Sequence, residues 1–289
     1  PTLYSVTLEP HNRNILLMLD MPVSLPPNAV LTRDYQVQAR EPVRIRIRYD
    51  VSSYLNYTLA IKLGERERVV ALQIVEGENP KAQALAEQWA NSGKSPEQIV
   101  QTALTMFREQ PFSYTLSPPL LGANPIDDFL FNTRRGFCEH YASSFTYLMR
   151  AAGIPARVVT GYQGGDVNSV GNYLIVRQSD AHAWSEVWLE GRGWTRVDPT
   201  AAVSPLRIES GIAAALPESN ALPLLSRQDF PLLRKLYLSW DAVNNGWNQW
   251  VLGYDQQRQL DLLSRLAGNR LSWQDLPIGM MLAVGAIGL

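Results

Sequence analysis

Along residues 43–51 (VRIRIRYDV) apolar and polar side chains alternate with a period of two, the pattern of a strand with one buried face. Residues 61–63 and 69–75 carry a similar apolar pattern forward. Pro42 and the run 21–29, with Pro22, Pro26 and Pro27, break it. Residues 1–78 are therefore expected to form a small β-sheet or β-sandwich domain. The polar turn at 76–80 (EGENP) marks the boundary.

The period then changes. Ala82, Leu85, Ala86 and Trp89 share one helical face in 81–91, and Ser95-Pro96-Glu97-Gln98 is a capping box with proline at the first helical position. That second helix is expected to reach about Arg108. Residues 111–136, broken by Pro118, Pro119 and Pro125, read as loop. A helix follows over 139–152, with Tyr141, Phe145, Leu148 and Ala152 on one stripe and Gly153 as its stop. Strands are expected at 157–162, 173–177, 182–189 and 194–197, separated by glycine-marked turns. The predicted organisation is thus a β domain (1–78), an α+β core (79–206), a mostly helical Trp/Leu-rich extension (207–275) and an uncharged apolar end (276–289).

Composition narrows the function. Twenty-six basic and 27 acidic residues leave a net charge of −1 with no basic cluster, so a nucleic-acid partner is not expected. One cysteine excludes an intrachain disulfide framework. With three scattered histidines it also argues against a structural zinc site, and no phosphate-binding or EF-hand loop is present. No metal and no cofactor are expected. The chain opens at Pro1 without an initiator methionine or a signal peptide, which reads as an excised or processed piece. The 14 uncharged residues 276–289 fall short of the roughly 20 that cross a bilayer, and they read as the start of a truncated transmembrane helix.

The candidate chemistry centres on Cys138. A lone cysteine is usually a buried structural residue. This one follows Gly136-Phe137 and begins a helix, where the dipole stabilises a thiolate and main-chain N–H groups face a developing oxyanion. His140, two positions on, points elsewhere on the helix. His182 opens a strand. If Trp188 pairs with Arg192 across the turn, the antiparallel register puts His182 opposite Asp198, which would orient the imidazole through Nδ1. Taken singly, a strand histidine, an Asp-Pro turn and core tryptophans are ordinary; their convergence on one cysteine is not.

The blocks 136–143 (GFCEHYAS), 153–162 (GIPARVVTGY), 180–188 (DAHAWSEVW) and 193–200 (GWTRVDPT) resemble the transglutaminase core, in particular the TgpA-type membrane-anchored bacterial transglutaminases. The resemblance runs strongly from about Pro111 to Leu206. It implies a papain-like α+β fold, with a cysteine-bearing helix packed on an antiparallel sheet that carries the histidine and aspartate. Cys138 would be nucleophile, His182 base and Asp198 orienter. Tyr114 is the candidate second oxyanion donor, and Trp184 a candidate lining residue of the acceptor channel. The implied activity is protein-glutamine gamma-glutamyl transfer to lysine amines of protein substrates, without calcium. It would take place on the periplasmic face of a bacterial inner membrane, with membrane helices flanking the domain. Cys138 and His182 stand 44 residues apart, against about 130 in papain-type proteases. That spacing favours the transglutaminase core yet leaves a deamidase or protease open on the same triad. A non-catalytic envelope scaffold is the alternative of another class.

Overall fold

The computed structural model describes residues 1–205 and 238–243. Among them, 1–57 and 239–243 fall in one compact unit, and 58–205 with Leu238 in another.

In the first unit β1 (Thr2–Leu8) meets a later strand, β5 (Ile47–Ser53), antiparallel, with Tyr4 opposite Val51. Three short strands form a second sheet in the order β2 (Ile15–Leu16), β4 (Val37–Ala39), β3 (Ala29–Leu31). Leu8, Leu16, Val37, Val43, Tyr49 and Val51 make its core. The expected strand at 43–51 thus pairs only from Ile47 onward.

The strand expected over 69–75 is instead α1 (Glu65–Leu72). Two adjacent β-branched valines suggest a strand, but Glu65 and Glu67 suit a helix N-terminus, and only Ala71 of this helix is buried. Val69 and Val70 stay exposed, so no burial enforces an alternating pattern.

Next come α2 (Pro80–Ala90) and α3 (Pro96–Glu109), the latter capped by Ser95 and Gln98 as the capping box requires. The expected loop over 111–136 has more structure than its prolines suggest. It holds β6 (Ser113–Tyr114), α4 (Pro125–Asp127), a π-helical turn (Asp128–Thr133) and β7 (Arg135–Gly136). Its order comes from distant partners. Asn79, left-handed at φ 55°, accepts the N–H groups of Ile126 and Asp127 and donates its own N–H to Asn124. The buried Asp127 carboxylate in turn accepts the N–H groups of Lys81 and Ala82, capping α2 from 45 residues away.

A central helix, α5 (Cys138–Ala151), packs on a three-stranded antiparallel sheet. Its order is β12 (Gly193–Val197), β11 (Ala181–Leu189), β8 (Ala156–Tyr162). The hairpin of β9 (Asp166–Asn168) and β10 (Tyr173–Ile175) lies between β8 and β11 in sequence. Phe107, Phe129, Tyr141, Phe145, Leu148 and Val187 fill the interface of helices and sheet. The Ser185 hydroxyl donates to Ala142 O at 3.0 Å and accepts from Thr146 Oγ1 at 3.0 Å, fixing the helix to β11.

The β11–β12 register differs by two residues from the expected one. Trp188 faces Trp194 and Leu189 faces Gly193, because the turn takes three residues, Glu190 to Arg192, with Gly191 left-handed. A slip of two keeps every side chain on its face. Gly193 has φ +73°, and a Cβ there would stand 2.1 Å from Leu59 O. The same Leu59 carbonyl accepts Trp194 N–H, and Ala60 O accepts Trp188 Nε1, so residues 59–60 strap the β12 side of the sheet.

No helix among the described residues is long and apolar enough to cross a membrane. The expected transmembrane start (276–289) lies outside the described residues. So does the expected helical extension (207–275), apart from a helical 238–243.

Candidate active site

Cys138 is the first residue of α5 and is partly exposed. Three features place it there. Parallel pairing of β6 with β7 sets Tyr114 beside Gly136, and Thr115 N–H donates to Gly136 O, which holds the approach to the helix. Gly136 has no room for a Cβ, since His140 and Phe129 crowd it within 3 Å. Tyr141 is fully buried and donates its hydroxyl to Ser113 O at 2.9 Å, tying the first turn to the same segment.

His182 enters from β11 with its side chain fully buried. Its Nε2 lies 2.8 Å from Asp198 Oδ2. The ring is therefore turned the other way from expectation: Nε2, not Nδ1, faces Asp198. The ladder ends at Ser185 opposite Val197, so His182 and Asp198 meet across the sheet end rather than as a directly opposed pair.

Asp198 serves two partners. Its Oδ2 takes the imidazole, and its Oδ1 accepts Thr200 N–H at 3.0 Å, capping a short helix, α6 (Pro199–Val203). Sequence reasoning treated Asp198-Pro199 as a turn signature. An aspartate before proline and threonine is equally an N-cap before a proline at the first helical position, and that signal was readable.

Electrostatics at His182 are a balance. Burial works hardest, against the charged ring; hydrogen bonding and attraction to Asp198 and to Cys138 outweigh it. The net effect raises the imidazole pKa above its ordinary 6.5. An imidazole so placed can hold a proton beside a thiolate.

Trp184, two residues along the same face, is nearly parallel to His182, 20° between planes with centroids 6.3 Å apart. Arg196 lies over its other face at 4.1 Å, and a Cβ on Gly161 would come within 2.9 Å of the indole. The structure thus wedges Trp184 between histidine, arginine and glycine backbone. Sequence reasoning missed Arg196 and Gly161. Tyr114 is buried in the core cluster beside the segment leading to Cys138. His140 packs edge-on against Phe137, and burial lowers its pKa, against the opposing pull of Glu139. Among the described residues no cluster of three or more His, Cys, Asp or Glu side chains is placed to hold a metal ion.

Comparison with known proteins bears on this arrangement. Residues 83–199 match the transglutaminase-like superfamily, and residues 1–60 match the TgpA N-terminal domain. A Pseudomonas aeruginosa protein named protein-glutamine gamma-glutamyltransferase is 41% identical over 98% of this chain. The chain spans 43% of that relative's length. An uncharacterised Bacillus subtilis protein, YebA, is 40% identical over 26% of the chain and 11% of its own length. The crystal structure of the periplasmic domain of TgpA from Pseudomonas aeruginosa superimposes with a TM-score of 0.72. It is 45% identical, and the match covers 74% of each chain. The same domain bound to ethylmercury matches with a TM-score of 0.70 over 72% of this chain and 74% of that one.

Proposed function

The chain belongs to the transglutaminase-like superfamily, on its TgpA branch, and from that premise we propose that it is a protein-glutamine gamma-glutamyltransferase working through Cys138, His182 and Asp198. The observation that carries the reading is the imidazole of His182, held at 2.8 Å by Asp198 on one nitrogen and drawn toward a proton by Cys138.

Cys138 attacks the side-chain carboxamide carbon of a substrate glutamine as thiolate. The N-terminal turn of α5 supplies main-chain N–H groups for the oxyanion. Tyr114, on the strand paired with the approach to Cys138, is the candidate second donor. As the tetrahedral intermediate collapses, the His182 imidazolium gives its Nδ1 proton to the departing amine, releasing ammonia and leaving a thioester. A lysine amine then attacks the thioester, the imidazole takes its proton, and an isopeptide bond forms. Trp184 keeps the imidazole plane fixed, and the acceptor approach is assigned to its side of the site. Water in place of the amine gives deamidation. By analogy with the periplasmic domain it resembles, the domain is assigned to the periplasmic face of a bacterial inner membrane, between flanking membrane helices.

The test is Cys138-dependent incorporation of a labelled primary amine into a glutamine-rich protein, with ammonia and new peptide ends followed in parallel. Uptake lost in Cys138→Ala supports acyl transfer. Ammonia without uptake makes the enzyme a deamidase, new peptide ends make it a protease, and silence in all three sinks the catalytic reading.

A further inference from the structure

The central sheet treats its two edges differently. On the β12 side, the outward N–H of Trp194 is taken by Leu59 O and the strap at 59–60 covers the strand. On the β8 side, α1 and the residues after it lie near the start of the strand, with Arg150 donating to Gln73 O, but among the described residues no main chain pairs with the outer edge. Trp188 N–H donates to Pro155 O and Gln163 N–H donates to Asp180 O, which fixes the odd-numbered residues of β8 as those bonded to β11. The even-numbered residues therefore direct their main-chain groups outward. Ala156 O is occupied by Arg150 Nε at 2.8 Å. Beyond it, the outward N–H and C=O groups of Val158, Thr160 and Tyr162 have no hydrogen-bond partner among the described residues.

Exposed edges are ordinarily blunted by proline, lysine, bulges or cover. Between 156 and 162 there is no proline, no lysine and no break in register, and the one charged side chain, Arg157, is tied to Glu186 at 2.7 Å. Val158 is 40% exposed, and Thr160 is exposed as well. A groove of about 510 Å³ flanks the start of this edge, lined in part by Ile74, Val75, Ile126, Tyr147 and Val158.

The direction of the edge gives it an occupant. α5 runs away from Cys138, the chain reverses at Gly153, and β8 runs back. Fourteen helical residues and seven extended ones both cover about 20 Å, so the far end of β8 returns to the level of Cys138. There Gly161 is the direct partner of His182. Val158 lies opposite Ser185, whose hydroxyl touches α5, so the side chains of Val158 and Thr160 share the face that α5 covers. An added strand would present every second side chain to that face.

We propose that the open edge of β8, from Val158 to Tyr162, is the docking rail for the glutamine donor. An extended segment of the substrate protein adds to the sheet as a fourth strand, with its glutamine among the side chains that turn toward the helix of Cys138. The proposal deepens the acyl-transfer reading and rests on it. Arg150 sets the outer limit of the rail by filling the carbonyl of Ala156.

The probe is a fluorescein-labelled peptide of about nine residues with a central glutamine and β-branched flanks, together with versions N-methylated at one residue each. Affinity is measured by anisotropy on the full chain carrying Cys138→Ala, and turnover on the native protein. The rail predicts a period of two. Methylation at alternate residues weakens binding and lowers kcat/KM roughly three- to ten-fold, as loss of one main-chain hydrogen bond does, and the residues between tolerate it. Turnover of the parent peptide without alternation overturns the rail and spares the transferase. Alternating affinity without turnover supports the rail and removes the acyl-transfer reading. A parent that neither binds nor turns over removes both, and mobility at twice the mass through edge-to-edge pairing of two chains would assign the edge to self-association instead.

Discussion

At the scale of single residues, the two oxygens of Asp198 set the terms. One holds His182 Nε2 and the other caps α6, so the carboxylate is fixed before any substrate arrives. Asp198→Asn keeps the shape and removes the charge. The expected outcome is a fall in kcat of roughly 10³- to 10⁴-fold in the amine-incorporation assay, with substrate binding little changed. The pH profile gives a second check. With the His182 pKa raised above 6.5, the imidazolium survives past that pH, so the alkaline limb of kcat/KM lies above 6.5 in the native protein. It moves to lower pH in Asp198→Asn, because the attraction that offsets burial is gone. Stability follows the same sign. The charged ring contributes fully below pH 6.5 and loses its contribution as pH climbs through the raised folded-state value, so melting temperatures of native protein and His182→Gln should converge over that window. Parallel curves would show that the ring does not titrate as described.

At the scale of elements, the segment 111–136 is where local pattern and structure part. Its prolines and lack of period read as loop, yet α4 and the π-helical turn are held by Asn79 and Asp127 across more than 40 residues. Removing the carboxylate in Asp127→Ala leaves the buried N–H of Ala82 and the part-buried N–H of Lys81 without their partner. The expected cost is about 2 kcal/mol in urea unfolding, at the upper end for a lost cap. A change under 0.5 kcal/mol would show the cap to be dispensable. The α5 and core-sheet elements, by contrast, were legible because apolar stripe, capping and glycine stops agree there. The sequence also brought Cys138, His182 and Asp198 into one neighbourhood, although by a register two residues off and through the wrong ring nitrogen. Side-chain period survives a slip of two; turn length and ring orientation are not written in the pattern. Val69–Val70 misled for the opposite reason, being apolar residues that nothing buries.

At the scale of the molecule, two hydrophobic clusters share no residue, one around Tyr49 and Val51, the other around Phe107, Tyr141 and Phe145. Each can fail alone. Leu16→Ala and Phe107→Ala should each cost about 3 kcal/mol, and calorimetry should show them lowering different transitions. Only Phe107→Ala should take the thermal inactivation of amine transfer down with it. A single transition moved equally by both substitutions would mean the clusters unfold as one.

The sequence contains a single thiol, and that thiol begins α5 with part of its surface open. Any electrophile specific for thiols therefore reports on one atom of the chain. Labelling stoichiometry counts competent nucleophiles directly, and the labelled fraction should equal the fraction of transfer lost, point for point. Storage follows the same arithmetic. With no second cysteine in the chain, a sulfenic acid at Cys138 cannot be trapped as an internal disulfide, and shelf life becomes a matter of the reductant in the tube.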